Sequence, residues 1–256
     1  MRTKTFAEAT NTLKDLKGQR VWSLMISLFG DLARREGDVI NGPVLSAIMA
    51  AMDVRPEAAR VALHRLRKDN WIASEKHGRI SRHSLTRDGR SQSQAASPRI
   101  YARPEELDPS WQMVMTEDVG ANALEQAGFT AFLPRCYVGP ASSKTPVGAV
   151  ILAGQKVPEW MKLRLEPAQL ADSYDQLAQA LDHTARTLPP STDLTPLEIA
   201  TLRCLIVHNW RRLALKHPPL PRPLMRDEWP GLKAHILVAD LLTRYPRPDL
   251  SQISVV

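Results

Sequence analysis

Between Pro56 and Asn70 the chain carries Arg60, Val61, His64, Arg65, Arg67 and Lys68. These side chains suit non-covalent recognition of a polyanion rather than bond making. A guanidinium donates two parallel hydrogen bonds to a guanine edge, and a valine packs on a thymine methyl. Arg65, Arg67 and Lys68 are long enough to reach phosphates and fix orientation. With about 100° per residue, Ala59, Ala62, Leu63 and Leu66 fall on one side of a helix. Glu57, Arg60, Val61, His64 and Lys68 fall on the other. Any amphipathic helix shows a charged outer face, so the neighbouring residues must decide.

Upstream, Pro43 to Met52 places Val44, Leu45, Ile48, Met49 and Met52 at helical spacing. Asp53-Val54-Arg55 is long enough to join two helices at a steep angle. Pro56 fits a first helical position, where its missing N–H does no harm. Arg55 is a poor residue at the preceding cap. Downstream, Trp71 and Ile72, then Ile80 and Leu85, can close a small core as two strands. Between them stand Lys76, His77, Gly78 and Arg79, with Arg82 just beyond. Gly78 permits the positive φ of a tight hairpin. Helix, turn, cationic helix and basic ribbon make a winged helix-turn-helix expected over residues 1–90. Lys76, Arg79 and Arg82 are the expected phosphate contacts of its wing.

Charge distribution agrees with that reading. Residues 1–101 hold 18 Lys and Arg against 10 Asp and Glu, a net +8, and the remainder holds 16 against 17, a net −1. A basic front joined to a near-neutral rear describes a polyanion reader fused to a second function. Cys136 and Cys204 are far apart, which fits reduced, buried thiols rather than a secreted disulfide framework. No signal-peptide core or long apolar run is present, so a cytoplasmic location is the expectation. Gly-rich phosphate loops, nucleophile elbows and zinc-ligand spacings are absent, so neither cofactor nor catalytic residue is assigned. Cys204 and His208 stand four apart with no third ligand nearby.

The rest of the chain must position this reader. Residues 1–18 are polar, either frayed or a short helix through Leu13 and Leu16. Arg20 to Arg34 carries apolar residues around half its circumference or more, which calls for packing against two bodies, its own domain and a partner domain or subunit. Arg87 to Pro109 is polar and linker-like, helical in its first part, and residues 91–109 are the connector between domains. Residues 110–166 read as a β-α-β-β unit of ferredoxin-like α+β type, with Val147 to Leu152 as a central strand. Residues 167–256 read as a helical domain, with a stripe of Leu170, Tyr174, Leu177 and Leu181 in its first helix. Its second helix opens at Thr195-Pro196, with Ile199, Leu202, Leu205, Ile206 and Leu213 inward and Cys204, His208, Arg211 and Arg212 opposite. Pro218 to Pro223 is expected to be extended, and Trp229-Pro230-Gly231 to start the last helix. The fold class is therefore mostly α with an α+β middle.

The block from Ala59 to Leu66, followed by Asn70-Trp71-Ile72, Gly78-Arg79 and Leu85-Thr86, resembles the PaaX family of transcriptional regulators. The resemblance continues in Pro98 to Tyr101 and Trp111, in Leu205 to Arg212, in Pro218 to Pro221 and in Glu228 to Gly231. It implies a repressor of catabolic genes, a middle domain similar to the CRISPR-associated Cas2 proteins, and an acyl-coenzyme A effector, typically phenylacetyl-CoA. On that implication His208, Arg211 and Arg212, with Trp210 and Trp229, are the candidate effector contacts: arginine for phosphates, flat rings for an acyl or adenine group. The expected assembly is a homodimer on a palindromic DNA operator. Two rivals stand beside it. One is a metal-dependent nuclease of the Cas2 kind using Glu117 and Asp118; the other is a regulator of the same fold with a different ligand.

Overall fold

The computed structural model describes residues 2–16, 18, 20–117, 121–217 and 220–253. Its first helix, α1 (Arg2–Lys14), turns Phe6, Ala9 and Leu13 inward. That face packs on two helices from the far end of the chain, α8 (Ala168–Thr187) and α9 (Pro196–Ala214). Thr184 donates to the carbonyl of Ala9 at 2.8 Å, and Asn209 donates to that of Leu13 at 3.0 Å. The apolar residues of α2 (Val21–Leu32) explain its wide stripe. One side meets α9 and another meets α4 (Pro56–Lys68), so both bodies belong to the same chain.

The front module continues with β1 (Ile40–Asn41), α3 (Gly42–Ala51), α4, β2 (Ile72–His77) and β3 (Ile80–Leu85). Its sheet is antiparallel in the order β1-β3-β2. Asp53 takes a left-handed conformation, φ 59°, between α3 and α4, a conformation that short polar side chains tolerate. Asn70 does the same, φ 55°, just after α4. His77 pairs with Ile80, which leaves Gly78-Arg79 as a two-residue hairpin loop with Gly78 at φ 61°. Arg55 gives α4 no side-chain cap, as its type implies.

The first part of the connector is helical, as expected: α5 (Arg87–Tyr101) runs unbroken through Pro98, capped where the Thr86 hydroxyl accepts from the N–H of Gly89 at 3.0 Å. It starts pressed against the front module: a Cβ on Gly89 would stand 2.3 Å from the carbonyl oxygen of Trp71. It ends by bringing the Ile100 carbonyl to Trp210 on α9 and the Tyr101 hydroxyl to Asp31 on α2.

The middle sheet holds β4 (Trp111–Met115), β5 (Thr130–Leu133), β6 (Cys136–Pro140) and β7 (Val150–Ala153), with α6 (Ala121–Gln126) between β4 and β5. The order is β5-β6-β4-β7, antiparallel throughout. Residues 141–149 cross from β6 to β7 without a helix. The expectation of a central strand at Val147 to Leu152 fails: β7 is an edge strand, and Val150, Ile151 and Leu152 are exposed. An apolar run reads as central only if both flanks are paired, and here one flank has no strand beside it among the described residues.

Behind the sheet come α7 (Glu159–Leu165), α8, α9 and α10 (Pro230–Arg244). A capping box opens α9, where Thr195 and Glu198 exchange hydrogen bonds. Two distinct faces were expected of α9, yet every residue from Ala200 to Trp210 is buried, so it is the central helix. Of the segment expected to be extended, Pro218 and Pro219 lie outside the described residues, and Arg222–Leu224 forms a 3-10 turn.

One ion pair locks front to rear. Asp31 on α2 has no exposed side-chain surface, and Arg203 on α9 has 3%. The Arg203 fork donates to both carboxylate oxygens at 2.8 and 2.9 Å, and its remaining nitrogen reaches the carbonyls of Leu242 and Tyr245. Tyr101 donates to Asp31 at 3.0 Å, and Arg247 approaches it at 3.1 Å. Removing one member leaves the other charge buried without its counterpart. Asp31→Ala should therefore cost about 3–5 kcal/mol in urea unfolding. The double change Asp31→Leu with Arg203→Met should recover much of it, and a single variant within about 1 kcal/mol of the parent would remove the pair from this role.

Candidate nucleic-acid interface

The outer face of α4 points to solvent. Arg60, Val61, His64, Arg65, Arg67 and Lys68 are all exposed, while Ala62 and Leu66 are buried beneath them. Val61 is 71% exposed, a branched apolar side chain left open among cations. Lys76 and Arg79 are exposed on the hairpin, and Arg82 is half-buried, paired in register with Asn41. Among the described residues no carboxylate pairs with Arg67, Lys68, Lys76 or Arg79. Arg60 makes only an exposed contact with Glu57 at 3.8 Å, worth little in water. Free cations on one surface are available to an outside anion.

Arg65 differs from its neighbours. Its guanidinium lies 4.6 Å from the ring centre of Trp22 and 3.4 Å from Asp69. The contact with Trp22 ties α4 to α2, and sequence spacing could not reveal it because the partners are 43 positions apart. Beneath the hairpin His83 is buried, with Nδ1 2.8 Å from the Ser74 hydroxyl. Burial and the nearby charge of Arg67 hold it below the usual histidine range, so the ring is neutral at neutral pH.

The five rear residues do not converge on one cavity. His208 is fully buried, with Nδ1 3.4 Å from the Ser27 hydroxyl and Nε2 without a hydrogen bond. Trp210 is buried, donates to the Ile100 carbonyl at 3.0 Å and stacks on His235. Trp229 is buried among Tyr174 and His217. Arg211 is half-buried against Ser23 and Ser27, and Arg212 is half-buried in a separate cleft beside Asn209 and Leu213. Glu117 faces Arg135 at 3.6 Å, and Asp118 lies outside the described residues. Among those described, no three side chains are grouped to hold a metal. Both cysteines are free and buried.

Sequence reading overlooked a cleft of about 930 Å³ between the hairpin and the tail after α10. Arg34, Arg35, Arg82, Arg247 and His77 line it, with Asp31, Asp38 and Asp249. The Arg34-Arg35 dipeptide was a signal, but its partners come from two distant segments.

Two family models cover the ends of this architecture. Residues 20–89, from α2 through the hairpin, match the model described as PaaX-like protein, and residues 166–249 match PaaX-like protein C-terminal domain. The chain belongs to the PaaX-like family. It is 26% identical to the transcriptional repressor PaaX of Escherichia coli strain K12, over 91% of this chain and 82% of that protein. Among solved structures it resembles an uncharacterized protein from Mycobacterium tuberculosis, with a TM-score of 0.50 and 15% identity over 87% of this chain and 96% of that one. In this PaaX-like chain Asp31 lies in the first matched span, and Arg203 and Arg247 lie in the second. No helix among the described residues is long and apolar enough to cross a membrane.

Buried histidines give this PaaX-like chain an acid sensitivity of known sign. Burial, then the charges of Arg212 and Arg211, push His208 down to about 4 from an ordinary 6.5. The unfolded chain takes up that proton as pH falls through 6.5, while the folded chain resists until about 4. Stability from this group is therefore lost on acidification across that window, by about 2 kcal/mol from about pH 7 to about pH 5. His83 and His235, also held low, act in the same direction. Urea midpoints should fall over that range, and His208→Gln should flatten the dependence. An equal slope in the variant would assign the effect elsewhere.

Proposed function

We propose that this chain is a sequence-specific DNA-binding transcriptional repressor, acting as a homodimer on an imperfectly palindromic operator and released by an acyl-coenzyme A thioester. The observation that carries the reading is the solvent-facing cationic side of α4, set beside a two-residue basic hairpin. On this reading residues 1–90 are a winged helix-turn-helix, with α4 in the major groove. Arg60, Val61 and His64 face base edges. Arg65, held by Trp22, orients at the flank. Arg67, Lys68, Lys76, Arg79 and Arg82 mainly hold phosphates. The repressor role of the Escherichia coli relative supports the direction of regulation.

The middle sheet, in the order β5-β6-β4-β7, fits a ferredoxin-like unit lacking its second crossover helix. Its open edge strand, with Val150, Ile151 and Leu152 exposed, and Trp160 and Leu163 exposed on α7, supply apolar surface for a two-fold contact. For the effector, the large cleft is a better place than the buried His208, Trp210 and Trp229. Four guanidinium groups suit the phosphates of a coenzyme A ester. Two of the cleft's aspartates are engaged locally: Asp38 accepts from the Arg35 N–H and Asp249 from the Ser251 N–H. A ligand there would touch both hairpin and tail. It shifts DNA affinity only as far as it prefers one of their arrangements.

Fluorescence anisotropy with a duplex from upstream of the gene tests the reading. Arg60→Ala should cost about 1–3 kcal/mol and relax discrimination at one base step. An equal loss on all sequences would take Arg60 away from the bases. Lys76→Ala should weaken every duplex alike and lower the salt slope by about one unit. An unchanged slope would remove the hairpin tip from the phosphate contacts. Phenylacetyl-CoA should release the duplex where coenzyme A alone does not.

A further inference from the structure

A second cavity, of about 340 Å³, lies under the cationic helix itself, between α3, α4 and the hairpin. It falls near the lower end of the roughly 300–1,000 Å³ that small-molecule sites span, too small for a nucleotide-bearing ligand. Its floor is apolar: Met25, Leu45 and Met49 are buried there and Leu63 is half-buried. Two cations, Arg60 and Arg67, stand among its lining from the exposed side of α4. Arg67 has no carboxylate partner among the described residues, and the Arg60 contact with Glu57 is long and exposed.

One end of the cavity is polar. His83 and Ser74, hydrogen-bonded to each other at 2.8 Å, both line it. Gly42 keeps that end open: a Cβ there would stand 3.3 Å from the Ser81 carbonyl oxygen and 3.7 Å from His83 Nε2. Neutral His83 therefore offers one hydrogen-bonding nitrogen toward the space, and Arg67 is close enough to influence its charge. An apolar floor with two guanidiniums at the rim and a neutral imidazole inside is complementary to a small amphipathic anion. A neutral ligand would leave the guanidiniums unused, and an inorganic anion would leave the floor unfilled.

We propose that this cavity binds a small carboxylate with a compact apolar body, aromatic or branched. Its apolar part lies on Met25, Met49 and Leu63, and its carboxylate takes hydrogen bonds from Arg60 and Arg67. Occupancy draws those two side chains to the rim and away from an outside partner. The binding half rests on the cavity alone, and the masking half rests on the DNA-reading role of α4.

Fluorine NMR on the full chain without DNA tests the first half, with para-trifluoromethylbenzoate as probe and the corresponding neutral benzamide as control. The acid should give a saturable change, and the amide should bind about tenfold more weakly or worse, the loss of one charge-assisted hydrogen bond. Arg67→Gln should weaken the acid by a similar factor and leave the amide unchanged. Ala59→Met, which fills the cavity with a good helix former, should abolish binding while the unfolding midpoint stays near the parent's. Equal binding of acid and amide, no saturable change at millimolar acid, or full binding to a folded Ala59→Met variant would overturn the site. In anisotropy titrations the acid should raise the duplex Kd of the parent and not that of Ala59→Met. Saturable binding that leaves the parent's duplex Kd unmoved would overturn the masking half alone.

Discussion

The carboxylate of Asp31 is the point on which the architecture turns. Removing two charges from water costs several kcal/mol per ion, and only full hydrogen bonding offsets it. Asp31 has that completeness: the Arg203 fork, the Tyr101 hydroxyl and the Arg247 guanidinium occupy its two oxygens. Net stability is not what such a cluster supplies best. It supplies position, because α2, α5, α9 and the tail must all be in register for any of the bonds to form. Since α2 also presents Trp22 to Arg65, the aim of the cationic helix is inherited from an ion pair on the far side of α2's own axis.

The hairpin is a wall with a cavity on each face. Strand alternation turns Ile80 and Arg82 toward the large cleft and Ser81 and His83 toward the small one. The two sides differ in chemistry. The first is ringed by guanidiniums and open to the tail; the second is floored by methionine and leucine. A thin two-stranded element between two such spaces can be displaced from either side, and both displacements act on the residues proposed to face DNA. That arrangement would couple the two proposed ligand sites to the cationic helix without a long path through the protein.

Local pattern made the front module legible. The period of α4, the proline at its start and the glycine at the hairpin each depend on neighbours a few positions away. The exposed cationic face followed from the same arithmetic. What the sequence hid is non-local. Cys204 and His208 fall on the side of α9 opposite its apolar stripe, yet both are buried, as are Arg203 and Asn209, because α1, α2 and the segment after α10 bring partners from far along the chain. The five rear candidates failed to gather for the same reason: helical spacing can group residues on one helix, but α9 is covered all round. β7 was misjudged because an apolar run does not reveal whether a neighbour pairs with its second edge.

The clasp between α1 and α9 also bears on how this protein comes into being on the ribosome. Asn209 grips the carbonyl of Leu13 across 196 positions. The apolar side of α1 thus emerges from the exit tunnel long before its cover has been translated. Through that interval the nascent chain carries an uncovered amphipathic helix, a natural substrate for holding chaperones. A prematurely terminated polypeptide would lack the seat on which α2 orients the cationic helix.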